Sequence, residues 1–443
     1  MMNRLFLFCL FLCLGTYAQS LNLEQARLLA LANSRSLARY ELSIRSSILD
    51  EKNQLYALFP TVSAGYRASM NYLHNGEFVN PIDTLTAGVN FSITQIIFQG
   101  GKSFIQRAIS SISTESIRKD ALAEYFNVID AVDNAYYAVL EAQAALEAEE
   151  SSLEAANFSL IIAEIRHSNG IINTGDYLKA LADKEARENS RNQVRRNLTL
   201  SIARLRSLTG FTGDAVFEQI DFSMYEQVLL RLSGISDGQA DALYRELWNI
   251  LLAANPSLAK AALSNQIAER NLTLARRDFS PTVSATVFSS TFNYSTAGGF
   301  SMGSSGGLTI SGSIPVDFWM RNNRIEKSQI ARDSAALSYI GAESSLETEL
   351  QSALLNAITQ AGAVLSARRS LEYTERHFEY VMERYRLSQS SVSDLSESTT
   401  LLINSRNSHT RASYGFLQSI SRIRSLCAID NEERLLEIFT GRM

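Results

Sequence analysis

Asp394 and Glu397 are the side chains whose spacing most invites a function. Three residues apart on a helix, two carboxylates point the same way and concentrate negative charge. The same Asp-x-x-Glu pattern is also that of a helix capping box. Asp176, after Gly175 at another helix start, reads as an N-cap. Beyond these, groups that do chemistry are not assembled. The four histidines, His74, His167, His377 and His409, are far apart, and none has metal-ligand spacing. There is no glycine-rich phosphate loop and no nucleophile elbow. Gly298-Gly299 and the run from Gly303 to Gly307 fall in a predicted surface loop, where flexibility is explanation enough. Nothing points to an enzyme, a cofactor or a metal site.

The elements that hold these residues are read best from a duplication. At an offset of about 220 residues the chain repeats its own pattern. Leu31-Ala32-Asn33-Ser34 is answered by Ala253-Ala254-Asn255-Pro256, and Pro60-Thr61-Val62-Ser63-Ala64 by Pro281-Thr282-Val283-Ser284-Ala285. Phe98-Gln99-Gly100-Gly101-Lys102 is answered by Phe318-Trp319-Met320-Arg321-Asn322, and Gly170 to Asp176 by Ser388 to Asp394. The organisation expected is a signal peptide at 1–18 and a first repeat at 19–240, with a strand pair at 60–94 and a long helical hairpin at 102–209. A second repeat at 241–443 has a strand pair at 281–315, a hairpin at 321–427 and a C-terminal segment. A duplicated unit that cannot bury its own faces packs against copies of itself.

Arg4, the apolar run Leu5 to Leu14 and Thr16-Tyr17-Ala18 make up the signal peptide, with mature protein expected from Gln19. Cys9 and Cys13 lie inside it, and neither follows the small residue that a lipoprotein cleavage site requires. Cys427 is then the only mature thiol, so no intrachain disulfide can form. The net charge of −5 argues against nucleic acid as partner. No 18-residue apolar stretch follows the signal, so no transmembrane helix is expected.

From Lys102 to Asn169 there are 68 residues without Gly or Pro. As one helix they would extend about 100 Å. Tyr125, Val128, Val132, Ala135, Val139, Ala142 and Leu146 step by three and four alternately, a heptad seam. Leu122, Phe126, Ile129, Tyr136 and Leu140 form a second stripe beside it. Two stripes imply two neighbours, as in a ring of helices, although the helices alone would equally suit a spectrin-like rod. A hairpin turning near Gly170 sets Glu147, Glu150 and Glu154 opposite Arg196, Gln193 and Asn189, so that an acidic run faces a basic one, although the same charges equally suit a solvated face.

After Pro60 the pattern changes to period two. Val62, Ala64, Tyr66, Ala68, Met70 and Tyr72 alternate with Thr61, Ser63, Gly65, Arg67, Ser69 and Asn71. Leu85 to Ile93, Thr282 to Val287 and Leu308 to Ile314 alternate likewise. Such strands suit a membrane β-barrel with a wet lumen, and a half-buried soluble sheet gives the same pattern. The signal peptide, the tyrosines and the Gly/Ser/Asn-rich loops 73–84 and 293–306 favour the barrel. Four strands cannot close one; roughly eight is the minimum. Because open edges do not occur in lipid, strands from several copies must be pooled.

Together these pieces resemble the TolC family of outer-membrane efflux proteins over almost all of the mature chain. The resemblance rests on Asn255-Pro256-Ser257-Leu258, the Pro60 and Pro281 strand entries and the Gly100-Gly101 strand exit. It also rests on the hairpin tips at Gly170–Leu178 and Tyr385–Leu395 and on Leu205-x-x-Leu208-Thr209-Gly210. It implies a mainly α fold with a membrane β-barrel: a coiled-coil helical barrel and four strands per protomer, with a homotrimer completing twelve strands. It further implies a mixed equatorial belt, here 211–240 and the chain after Cys427. The function implied is an outer-membrane channel for small molecules or proteins, the exit duct of a tripartite efflux pump or type I secretion system. Its partners would be a periplasmic adaptor (membrane fusion) protein, an inner-membrane RND or ABC transporter, and outer-membrane lipid. By the same resemblance Asp394 and Glu397 line the periplasmic entrance and set selectivity, Asp176 and Tyr385 latch the gate, and Gly170 and Ser388 mark the tips that dock the adaptor. Three departures stand out: Ser388 where the family has Gly, no Gly pair at the second strand exit, and Cys427-Ala428 in place of Thr-Gly. The alternative function is a periplasmic coiled-coil scaffold or adaptor without a pore.

Overall fold

A computed structural model describes residues 19–70, 73–74, 77–78, 85–213, 215–295, 299–301 and 305–441. The signal peptide, Asn71 and Tyr72 therefore lie outside the described residues, as do parts of both predicted loops. In chain order the elements are β1 (Gln19–Leu21), α1 (Leu23–Asn33), α2 (Arg35–Tyr56), β2 (Thr61–Ser69), β3 (Leu73–His74), β4 (Glu77–Phe78) and β5 (Thr86–Phe98). The first long hairpin follows as α3 (Lys102–Ser168) and α4 (Thr174–Thr209). Next come β6 (Ala215–Phe217), a 3-10 turn, α5 (Glu226–Ser233), α6 (Asp237–Ala254) and α7 (Pro256–Arg276). Then come β7 (Thr282–Ser295), β8 (Gly299–Ser301) and β9 (Ser305–Ser313). The chain ends in the second hairpin, α8 (Phe318–Arg386) and α9 (Val392–Leu426), and α10 (Glu432–Thr440). Among the described residues no helix is long and apolar enough to cross a membrane.

The chain divides into two compact units. One holds residues through Ala38, Leu122–Pro256 and from Ser344 onward; the other holds Arg39–Ala121 and Ser257–Glu343.

The first unit is helical. On α3, Phe126, Ile129, Tyr136 and Leu140 are buried while Leu122 is exposed, so the stripe from Phe126 onward makes this unit's own core. The heptad seam beside it is only partly covered: Val132 and Val139 are buried, while Tyr125, Val128, Ala135, Ala142 and Leu146 keep partial exposure. The face left over is the one a neighbouring helix would complete. β1 pairs in parallel with β6, Gln19 with Ala215 through Leu21 with Phe217. Tyr136 Oη sits between the carbonyls of Leu21 and Glu218, at 2.8 and 2.7 Å. α10 packs on α5, where Arg231 donates to the Phe439 carbonyl at 2.7 Å. Segment 211–240 and the tail beyond Cys427 thus join the same small-element layer.

Two asparagines do one job here. Asn33, at the end of α1, donates through Nδ2 to the carbonyl of Thr209 at the end of α4, 2.7 Å away. Asn255, at the end of α6, donates through Nδ2 to the carbonyl of Leu426 at the end of α9, 2.9 Å away. Each satisfies one of the orphan carbonyls that every helix leaves at its C-terminus.

The predicted pairing of charges across the first hairpin is not found. Among the described residues no ion pair joins the Glu147–Glu154 run to α4, and Arg195 and Arg196 are exposed. The cations nearer the tip are drawn elsewhere. Lys184 binds Glu188 of its own helix, and Arg187 reaches Thr400 of α9 at 2.6 Å. In the second hairpin α8 and α9 do exchange ion pairs, Arg422 with Glu349 and Arg406 with Glu375.

The second unit carries the sheet. β2, β5, β7 and β9 pair antiparallel in that order, with β8 on the far end of β7. β2 pairs with β5 from Thr61↔Thr94 to Ser69↔Thr86, and β7 with β9 from Thr282↔Ser313 to Ser290↔Ser305. β5 runs to Phe98, four residues past the predicted end at Thr94. Ile96-Ile97-Phe98 breaks the alternation, and the register against β7 shifts there to absorb the break. One face pairs Val62, Ala64, Tyr66 and Ala68 with Ile93, Phe91, Val89 and Ala87. It is open: Val62 is 75% and Tyr66 87% exposed. The other face pairs hydroxyls, Ser63 with Ser92 at 2.7 Å and Ser69 with Thr86 at 2.8 Å. The Gly100-Gly101 exit has φ of +63° and +75°. A Cβ on Gly100 would lie 2.2 Å from Ser280 Cβ, so only glycine fits.

Candidate functional site

The sites expected at the hairpin tips fall in the first unit, where α3, α4, α8 and α9 share a core of Ala163, Ala180, Val381, Tyr385, Val392 and Leu395. Both turns use left-handed backbone: Gly170 at φ 69° and Ser388 at φ 61°. Ser388 therefore adopts the glycine conformation without being glycine, and the two tips turn alike.

Each α4 and α9 start is capped by the residue three before its first acid. Asn173 Oδ1 accepts from the Asp176 backbone N–H at 2.8 Å. The N-cap is thus Asn173, with Asp176 exposed in the first turn. At α9, Ser391 Oγ accepts from the Asp394 N–H at 3.2 Å, and Asp394 Oδ2 accepts from the Ser391 N–H at 2.9 Å and from Ser390 Oγ at 3.1 Å. Those bonds from Ser391 and Ser390 hold the Asp394 carboxyl below the usual carboxylate range. Asp394 caps the helix and stays charged and exposed while doing so. Glu397, one turn on, is also exposed.

Tyr385 is the tip's buried centre, at 0% exposure. Its hydroxyl donates to the Ser159 carbonyl at 3.1 Å and lies 3.3 Å from Ser159 Oγ. The Arg166 guanidinium lies 4.7 Å from the ring centroid and donates to the Tyr385 carbonyl. Among the described residues no hydrogen bond joins Tyr385 to Asp176. Instead α4 and α9 are tied by Lys179 to Ser393, by Ser396 Oγ to Asp183 at 2.8 Å, and by Arg187 to Thr400.

A second cluster escaped sequence reasoning. Asp133 on α3, with its side chain 0% exposed, accepts both arms of the Arg27 fork at 2.6 and 2.9 Å, Arg424 Nη2 at 2.9 Å and Ser421 Oγ at 2.7 Å. Arg27 and Arg424 each reach Glu432 Oε2 at 3.1 Å, and Tyr225 donates to the other Glu432 oxygen. The two guanidinium and two carboxylate charges cancel, as a buried cluster requires. Burial opposes ionisation of Glu432, but Arg27, the Tyr225 hydroxyl and Arg424 outweigh it and hold its pKa below normal. The sequence signal was an aspartate set inside the apolar stripes of α3.

The outer membrane efflux protein family pattern matches residues 27–211 and 247–428, most of the chain and both hairpins. This chain belongs to the outer membrane efflux protein family. A curated relative, the outer membrane protein TolC of Escherichia coli strain K12, is 20% identical and aligns with 94% of this chain and 83% of its own length. Among solved structures, the CmeC outer membrane channel of Campylobacter jejuni is similar with a TM-score of 0.76 at 17% identity, covering 95% of this chain and 89% of its own. A membrane protein from Pseudomonas aeruginosa follows at 0.74 and 16%, covering 91% and 90%. The chain is an outer-membrane efflux channel, the exit duct of an efflux pump, placed in the outer membrane and extending into the periplasm. The pore-less scaffold has no counterpart among these relatives.

Proposed function

We propose that the working channel is a homotrimer in which each copy supplies four strands to one twelve-stranded barrel. The observation that carries this is the sheet itself. β2 and β9 are its outer strands, each paired on one side only among the described residues, and one face is apolar and open. Lipid tolerates no unpaired strand edge. Two copies would close a small barrel filled by side chains; three leave a channel, which the hydroxyl-lined face suits. The partly covered seam on α3 supplies the matching helical contact. The two halves, 19–240 and 241–443, are duplicated units, a reading supported by the matched roles of Asn33 and Asn255.

At the periplasmic end, Asp394 and Glu397 repeat as rings of negative charge that select cations. The tips around Gly170 and Ser388 dock a periplasmic adaptor that links the duct to an inner-membrane RND or ABC transporter. The gate is held by hairpin-to-hairpin contacts. Tyr385 braces α8 on α3, and Asp176, facing outward, is free to latch a neighbouring copy. Heat-modified gel mobility with chemical cross-linking tests the assembly. A single band at three chain masses that collapses on boiling is expected; a monodisperse monomer in the absence of detergent refutes it.

A further inference from the structure

Arg67 is the one charged residue in β2, β5, β7 and β9 taken together. It lies on the face of Thr61, Ser63, Gly65 and Ser69, opposite Gly88 of β5, and it is exposed. Among the described residues no carboxylate pairs with it. Since none of the four strands contains Asp or Glu, pooling sheets from further copies brings no strand carboxylate to it either. A guanidinium is charged at every working pH. Such a charge on the lipid face of a membrane strand is destabilising, whereas in a wet lumen it is solvated. The opposite face, with Val62, Tyr66, Phe91 and Ile93, is the one suited to lipid.

We propose that Arg67 forms an anion site inside the barrel lumen, one guanidinium per copy, binding multivalent anions and the anionic groups of exported molecules. This rests on the pooled-barrel reading above. The guanidinium fork matches carboxylate and phosphate oxygens in pairs. Its surroundings complete the site. The Ser69–Thr86 hydroxyl pair lies two positions along the strand on one side. On the other side Gly65 adds no side chain, and the Asn90 amide packs over it with Oδ1 3.1 Å from where a Cβ would stand. The Ser63–Ser92 pair follows beyond. The face therefore offers donors around a cation and no carboxylate from the four strands. A ring of like charge inside a pore selects by sign, so this site favours anions, opposite to the carboxylates proposed for the periplasmic entrance.

The test is block of single channels by tripolyphosphate, added to the side of the β-barrel in planar bilayers of neutral lipid in KCl. Wild-type conductance should fall, and Arg67→Gln should raise the half-blocking concentration at least tenfold. Arg67→Lys, which keeps the charge without the fork, should fall between wild type and Arg67→Gln. Ser69→Asp, which sets a carboxylate on the same strand face, should weaken block as Arg67→Gln does and serves if that variant fails to assemble. Channels of either neutralised variant that conduct and are blocked at the wild-type concentration overturn the anion site and leave the barrel standing. A more heat-resistant trimer from Arg67→Leu with unchanged block would place Arg67 on lipid and also overturn it. Wild-type protein that never conducts overturns both readings.

Discussion

Among the described residues, two other than glycine hold a positive φ, Ser388 at 61° and Ala428 at 50°. Each follows a long helix of the second half, where the first half has Gly170 at 69° and Gly210 at 71°. For an L-residue the left-handed conformation costs about 1 kcal/mol. Ser388→Gly and Ala428→Gly should therefore each stabilise the fold by about 0.5–1 kcal/mol, read as a shift of the urea midpoint at unchanged slope. A β-branched residue is an outlier at such a φ, so Gly170→Val and Ser388→Val should destabilise both tips to a comparable degree. A midpoint lowered by one and not the other would contradict the shared geometry. A serine in place of glycine gives no local sign that the second turn is left-handed. Sequence reports which residue would be comfortable in a turn, while the fold decides which turn it must make. The same limit applies at Tyr385. Its motif position was legible, but its burial against Ser159 and Arg166, 226 and 219 positions away, was not.

Elements were read more reliably than contacts. α3 follows from a run free of Gly and Pro with apolar steps of three and four, α8 persists through Gly341 and Gly362, and β2 follows from strict alternation, because helix and strand periods are written locally. The cluster around Asp133 joins α1, α3, α9 and α10 through partners 106 and 291 positions apart, a separation no local pattern carries. Its energetics are nonetheless definite. Asp133→Asn would leave Arg27 and Arg424 buried and short of a counter-charge, and breaking such a pair costs roughly 3–5 kcal/mol. Thermal unfolding of the detergent-solubilised protein should show the loss. Glu432 gives the cluster a pH signature. Its pKa is lowered in the folded state from an ordinary 4.5. The stability it adds is therefore fully present above about pH 4.5 and is lost as pH falls through the lower folded value. Between neutral pH and pH 3 the wild type should lose stability more steeply than Glu432→Gln. Parallel pH profiles would mean that Glu432 does not couple α10 to the arginines.

For the whole channel, the decisive quantity is the charge a permeating ion meets at the periplasmic end. On the proposed reading Asp394 both caps α9 and sets charge at that entrance, and the two roles can be separated. Its cap depends on one side-chain oxygen accepting from the Ser391 N–H. Asparagine keeps such an acceptor and loses the charge. Glu397 takes no part in the capping box, so Glu397→Gln removes charge with no local structural cost. The double variant Asp394→Asn/Glu397→Gln should therefore keep the wild-type melting profile, within the few tenths of a kcal/mol expected for exposed charges. Its preference for potassium over chloride, read from the reversal potential across a KCl gradient, should nevertheless drop. Screening fixes the conditions: the Debye length is about 30 Å at 0.01 M salt and about 3 Å at 1 M, so the drop should be large in dilute KCl and small in concentrated KCl. A reversal potential unchanged at low salt, in channels that melt normally, would reduce Asp394 to a helix cap and Glu397 to a solvated surface residue. The proposed ring of negative charge at the entrance would then be refuted.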